Sequence, residues 1–168
     1  NMEKILIKNA ILVDMVKKHN KLHEKDVLIQ DGKISKIEDS INEKCDRVIN
    51  AKGKVLMPGF VNTHTHSAMG IFRGYADDSE LMDWLQNKIW PIEDKLTSEE
   101  IYYSTMLSCM EMLKSGTTSF NDMYFMMDSV AKAAIDSSMR AYLGRCIMSA
   151  NDENDIRIKE AEELYNKY

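Results

Sequence analysis

The stretch Val55-Leu56-Met57-Pro58-Gly59-Phe60-Val61-Asn62-Thr63-His64-Thr65-His66 decides the fold. It reads as an apolar strand running into a Pro-Gly kink, then a second strand that ends in His-Thr-His. Successive side chains of a β-strand point to opposite faces, so residues two apart share one. His64 and His66 therefore project together from the C-terminal end of the second strand, with Thr65 turned away. Two imidazoles converging from one rigid strand are a natural beginning for a metal site. The plain alternative is a pair of polar histidines in an exposed loop.

Upstream of this stretch the sequence has strand character. Ile5-Leu6-Ile7 and Ile11-Leu12-Val13 are short apolar runs separated by Lys8-Asn9-Ala10. Val27 to Gln30 faces Lys33 to Ile37 across Asp31-Gly32, a strong short-range hairpin signal in which Gly32 supplies the positive φ of a primed turn. Arg47 to Asn50 forms a further strand and turns through Ala51 to Lys54 into Val55. His19 and His23 fall in the polar segment Lys17 to Asp26 and read as solvated loop residues. Residues 1–57 thus form a small β-domain.

Downstream of Pro58 the apolar period changes from two to 3.6. Leu81, Trp84, Leu85 and Ile89 mark a short amphipathic helix that stops before Pro91. Thr97 caps the next helix, with Glu100 completing a capping box. That helix presents Ile101, Tyr102, Met106, Cys109, Met110 and Leu113, and Gly116 ends it. A strand over 117–121, a helix over 128–138, a strand over 140–147 and a helix from Asn154 or Asp155 to Tyr168 follow. This alternation implies parallel strands and an α/β fold. Three βα units are far fewer than a closed (β/α)8 barrel holds, which takes about 250 residues. Residues 58–168 are therefore either three βα units that add to something else or a piece of a longer protein, and the open sheet edges of so small a piece favour association, either as a homo-oligomer or with a complementing chain.

Composition narrows the function classes. Hydrophobic residues at 44% and charged residues at 29% belong to an ordinary globular protein. A net charge of −5 without a basic stripe argues against binding nucleic acid. No apolar run approaches the roughly 18 residues of a membrane span. Three widely spaced cysteines, Cys45, Cys109 and Cys146, suit free thiols in a reducing cytoplasm. The start has no signal-peptide architecture, and Asn1 ahead of Met2 reads as a cloning remnant.

Pro58 to His66 resembles the first barrel strand of the amidohydrolase superfamily. Arg73-Gly74, Leu81-Met82-Asp83-Trp84-Leu85, Trp90-Pro91-Ile92-Glu93 and Asn121-Asp122-Met123-Tyr124 resemble the methylthioadenosine/S-adenosylhomocysteine deaminases within it, in a branch that also holds triazine chlorohydrolases. The resemblance runs through the whole chain but covers only the N-terminal part of such a protein. It implies that residues 1–57 contribute to a composite β-sandwich, that residues 58–168 are the first three βα units of an incomplete (β/α)8 TIM barrel, and that His64 and His66 ligate one divalent metal, zinc or alternatively iron. Such a metal brings a bound water toward a neutral pKa, so that hydroxide adds to C6 of a purine and ammonia leaves. The family's remaining ligands and its proton-shuttling residues come from later strands, so the metal site here is incomplete and no catalytic residue is assigned.

On the substrate side the resemblance implies that Glu93 holds ribose hydroxyls and that Arg145 and Arg157 hold the carboxylate of a homocysteine group. Read without it, Glu93 is a solvated charge beside Asp94, and the arginines are ordinary surface residues. Trp84 suits core packing better than a base-stacking wall, and Asn62 and Thr63 suit fixing the strand end. Asp122 suits a supporting role rather than ligation. The expected substrate is a small adenosine-type nucleoside. Another amidohydrolase activity, such as guanine or cytosine deamination or dechlorination, stays open, as does a non-catalytic binding or assembly role.

Overall fold

The computed structural model describes residues 3–13, 15, 22–147 and 154–168, the last stretch with side chains from Ile156 onward. The chain divides into two compact units, Asn1–Pro58 and Gly59–Tyr168. His19 lies outside the described residues.

The first unit is a five-stranded mixed sheet of β1 (Ile5–Leu12), β2 (His23–Gln30), β3 (Lys33–Glu38), β4 (Arg47–Asn50) and β5 (Val55–Leu56), with β1 central. β2 and β3 pair antiparallel across Asp31 and Gly32, both at positive φ, as the Asp-Gly turn requires. The two apolar runs at the start are one strand. Asn9 sits between them at φ 59°, and the register of β1 against β2 slips between Ile7 and Ala10, which is a β-bulge. Asp26, 2% exposed, holds the bulge by accepting the Asn9 N–H at 2.9 Å and the Ile41 N–H at 2.9 Å. His23 opens β2 instead of lying in a loop, because the hairpin ladder extends through Leu12↔His23.

The second unit begins with β6 (Phe60–Thr65), followed by a 3₁₀ turn at Ser67–Phe72. The helical stretch after it has three parts: α1 (Leu81–Asp83), a π segment (Trp84–Ile89) and α2 (Trp90–Glu93). Pro91 therefore does not stop this helix. Proline has no N–H to donate and clashes with the carbonyl four residues back in a regular helix. Here the wider π turns precede it, with the Trp90 N–H reaching back to Leu85 O, and the ladder opens where proline needs room. Leu81 is exposed, so the buried face of this stretch starts later, at Trp84 and Ile89.

α3 (Ser98–Lys114) starts with the expected capping box. Thr97 Oγ1 accepts the Glu100 N–H, and the Glu100 carboxylate accepts the Thr97 N–H at 2.7 Å. Its buried stripe is Ile101, Ser104, Thr105 and Cys109. Met110 and Leu113, expected inside, are exposed. The stripe shifted because small hydroxyl side chains take the close contact: Ser104 Oγ donates to Ala68 O and Ser108 Oγ to Ser67 O, each at 2.8 Å. A β-carbon at Gly70 would lie 3.0 Å from Ser108 Oγ, so the turn after β6 lies hard against α3.

β7 (Thr117–Tyr124), α4 (Met127–Asp136), β8 (Arg140–Arg145) and α5 (Asn154–Lys167) complete the unit. β6, β7 and β8 are neighbours and parallel. β8 ends at Arg145, short of Ile147. The core gathers Phe120 of β7, Ile89, Ile101 of α3 and Val130 of α4. Fully burying such a side chain stabilises by roughly 1.5–3 kcal/mol. At the kink, a β-carbon on Gly59 would lie 2.3 Å from a Thr118 methyl, so only glycine lets β6 start beside β7.

Candidate metal centre and adjoining cavity

β6 carries His64 near its carboxyl end and His66 follows the strand directly, with the ring centroids 5.1 Å apart at an interplanar angle of 79°. His64 is exposed and His66 half-buried. His66 Nδ1 lies 2.7 Å from the Met123 carbonyl oxygen of β7. A carbonyl can only accept, so Nδ1 carries a proton, and in the neutral imidazole Nε2 then keeps the lone pair. A metal-ligating histidine usually donates its other nitrogen to such an oxygen. The donor set therefore fits two imidazole ligands of a divalent metal. Among the described residues, no group of three or more His, Cys, Asp and Glu gathers as a metal site.

Upstream in β6, Asn62 Oδ1 accepts the His64 N–H at 3.3 Å, and the Thr63 carbonyl accepts from Asn121 Nδ2 at 3.2 Å. Asn62 thus ties the strand end through its side chain, and Thr63 takes part through its backbone carbonyl alone. Immediately after His66, Ser67 is tied to Asp122, which is 1% exposed. Its N–H stands 3.2 and 3.3 Å from the two carboxylate oxygens and its hydroxyl donates to Oδ2. Burial pushes the Asp122 carboxyl above its usual range, against the hydrogen bonds from Ser67.

Glu93, Arg145 and Arg157 come together around a cavity of about 1000 Å³ within this unit, also lined by Trp90 and Phe125. His64 and His66 do not line it. Glu93 ends α2 and accepts a hydrogen bond from the Tyr124 hydroxyl. Burial raises the Glu93 carboxyl, the Tyr124 bond opposes this, and Asp94 and His66 exert smaller, opposite influences. Tyr124 is itself raised, by burial and then by Glu93. Neither arginine is an ordinary surface residue. Arg157 is 8% exposed. Arg145 bonds Glu160 at 2.5 Å and the Cys146 carbonyl at 2.9 Å, and its guanidinium stands 5.0 Å over the Phe125 ring. Trp84 packs against the core and donates to Tyr75 O at 3.1 Å, whereas Trp90 lines the cavity.

Sequence reasoning missed Tyr124, Ser67 and the hydroxyl stripe of α3. The signal for Tyr124 was its spacing in β7, two residues beyond Asp122 and hence on the same face of the strand.

The structure is that of an α/β protein that collects polar groups at the carboxyl ends of parallel strands, the position where βα folds build their sites. Residues 55–168 match the family model described as "Amidohydrolase family", and the chain belongs to that family. It is 53% identical over 142 residues to a 5′-deoxyadenosine deaminase of Methanosarcina barkeri, covering 84% of this chain and 33% of that protein. It is 44% identical over 167 residues to a 5-methylthioadenosine/S-adenosylhomocysteine deaminase of Syntrophomonas wolfei, covering 98% and 39%. A crystal structure of an adenosine deaminase from Xanthomonas campestris with bound zinc superposes with a TM-score of 0.86 at 31% identity, covering 97% of this chain and 39% of that one. The chain thus spans between a third and two fifths of these relatives.

Proposed function

We propose that this chain is the N-terminal part of a metal-dependent deaminase that removes ammonia hydrolytically from C6 of adenosine-type nucleosides, among them 5-methylthioadenosine and S-adenosylhomocysteine. The observation that carries the proposal is the His64–His66 pair with the His66 tautomer set by the Met123 carbonyl. The names of the relatives support the reaction, and the zinc in the Xanthomonas structure supports the metal, with iron as the alternative.

In this account β6, β7 and β8 begin a (β/α)8 barrel, and the sheet of the first unit supplies one layer of a composite β-sandwich. Exposed Ile34, Ile37 and Val48 on that sheet support a second covering layer. A divalent metal held at His64 and His66 supplies a water acidified toward neutral pH. Two imidazoles are fewer than the three protein ligands usual for catalytic zinc, so further ligands come from sequence beyond these residues and this chain alone is inactive. Glu93 accepts hydrogen bonds from ribose hydroxyls. Arg145 and Arg157 take the carboxylate of a homocysteine tail as a bidentate partner.

The test is deamination by the polypeptide at its relatives' full length, followed by ammonia release and the ultraviolet change from adenine to hypoxanthine. Turnover of S-adenosylhomocysteine or methylthioadenosine, with little on guanine or cytosine, is the expected result. Turnover of a free base or a chlorotriazine instead would assign another amidohydrolase activity. Binding of these nucleosides without turnover would assign a binding role.

A further inference from the structure

Three consecutive residues at the end of β7 each hold a different part of the site. The Asp122 carboxylate holds Ser67, the Met123 carbonyl holds His66, and the Tyr124 hydroxyl holds Glu93. Strand alternation turns the side chains of Asp122 and Tyr124 inward, at 1% and 3% exposure, and that of Met123 outward. The Tyr124 ring belongs to the apolar core with Phe120 and Val130 and packs against Phe125. For packing alone, phenylalanine would serve as well. A buried phenol needs a polar partner, and this one is a carboxylate that also lines the cavity.

We infer that Tyr124 is a positioning residue that orients Glu93 and thereby sets selectivity for ligands with two vicinal hydroxyls. The inference rests on the role proposed above for Glu93. An ionised carboxylate offers about four lone-pair sites. Tyr124 engages one on Oε1, which leaves Oε2 and the second site of Oε1 at a fixed orientation. Two adjacent hydroxyls need two acceptors held in one plane. Glu93 ends a helix of four residues, which by itself gives the side chain little restraint. Because Tyr124 follows Met123 directly, the sugar-side carboxylate and the His66 imidazole are referenced to the same short piece of strand.

The experiment measures kcat and KM for adenosine and for 2′,3′-dideoxyadenosine in the polypeptide at its relatives' full length. The variants are Tyr124→Phe, Tyr124→Met, Glu93→Ala and the Tyr124→Phe/Glu93→Ala double. Tyr124→Phe should cut the preference in kcat/KM for adenosine over the dideoxy compound roughly tenfold, through KM more than kcat, the size expected for one hydrogen bond to a charged group. Tyr124→Met, which fills the same volume flexibly, should reproduce the loss if the phenylalanine variant is poorly folded. The double variant should be no less selective than Glu93→Ala alone, because one residue acts through the other. Equal effects on both substrates, or additive effects in the double variant, would overturn the inference. A wild type that prefers adenosine while Tyr124→Phe keeps that preference overturns the Tyr124 role alone. A wild type with no preference for the vicinal hydroxyls, or no deamination at all, overturns the role of Glu93 and this inference with it.

Discussion

Ser67 and Asp122 lock the chain directly behind His66, and cutting that lock should be costly and non-additive. In Asp122→Ala the Ser67 N–H and hydroxyl, both bonded to the carboxylate, lose their acceptor in a buried setting. Each buried donor left unsatisfied costs about 1–3 kcal/mol. The Ser67 hydroxyl keeps a weak fallback in Thr105 Oγ1, 3.4 Å away. With that fallback the expected loss is about 3 kcal/mol, in the lower half of the roughly 2–6 kcal/mol that two stranded donors would cost. Ser67→Ala alone removes one hydrogen bond to a charged group, about 1.5–3 kcal/mol. The double variant should be at least about 1 kcal/mol more stable than the sum of the two losses predicts, because the stranded hydroxyl is gone. Both tryptophans, Trp84 and Trp90, lie in the unit that contains this pair. Their fluorescence during urea unfolding therefore reports on the right part of the chain. Losses that add within about 0.5 kcal/mol, or an Asp122→Ala loss below about 1 kcal/mol, would refute the lock.

Other consequences follow from single contacts. At Asp26, burial works to raise the carboxyl, but the N–H groups of Ile41 and Asn9 and the Lys8 ammonium outweigh it and hold the pKa below the ordinary value. Its stabilising contribution is complete above the unfolded value of about 4 and is lost as pH falls through the lower folded value. Asp26→Asn should flatten the acid limb of the urea midpoint between about pH 5 and 2, and an unchanged limb would count against this. Arg145→Ala should weaken S-adenosylhomocysteine far more than adenosine, and Arg145→Lys should not restore it, since an ammonium lacks the planar fork. Equal loss for both ligands, measured as KM or by calorimetry, would remove the carboxylate role.

What the sequence disclosed was local. Thr97 and Glu100 form their capping box, and Asp31-Gly32 its turn, because each is decided within four residues. The two histidines come together at the end of β6, His64 within the strand and His66 directly after it, as the alternation of side chains along a strand suggests. The failures are long-range. The bulge at Asn9 depends on Asp26, far along the chain and buried, so two apolar runs looked like separate strands. Pro91 is a helix breaker by its own chemistry, and only the preceding π turns admit it. The face of α3 was misjudged at Met110 and Leu113 because apolar counting overlooks serine and threonine whose hydroxyls meet backbone carbonyls. At the site, Glu93, Arg145 and Arg157 were legible only through resemblance. The cavity that unites them is lined from the end of α2, the start of α4, the end of β8 and the length of α5.

Whether His64 and His66 hold a metal is read from the metal content of the protein. Zinc and iron are measured by mass spectrometry after dialysis in the polypeptide at its relatives' full length, beside His66→Ala. About one metal ion per wild-type polypeptide and close to none in the variant is the expected result, since the loss of one imidazole breaks the site. Wild-type protein without metal, or His66→Ala with as much as wild type, would contradict it.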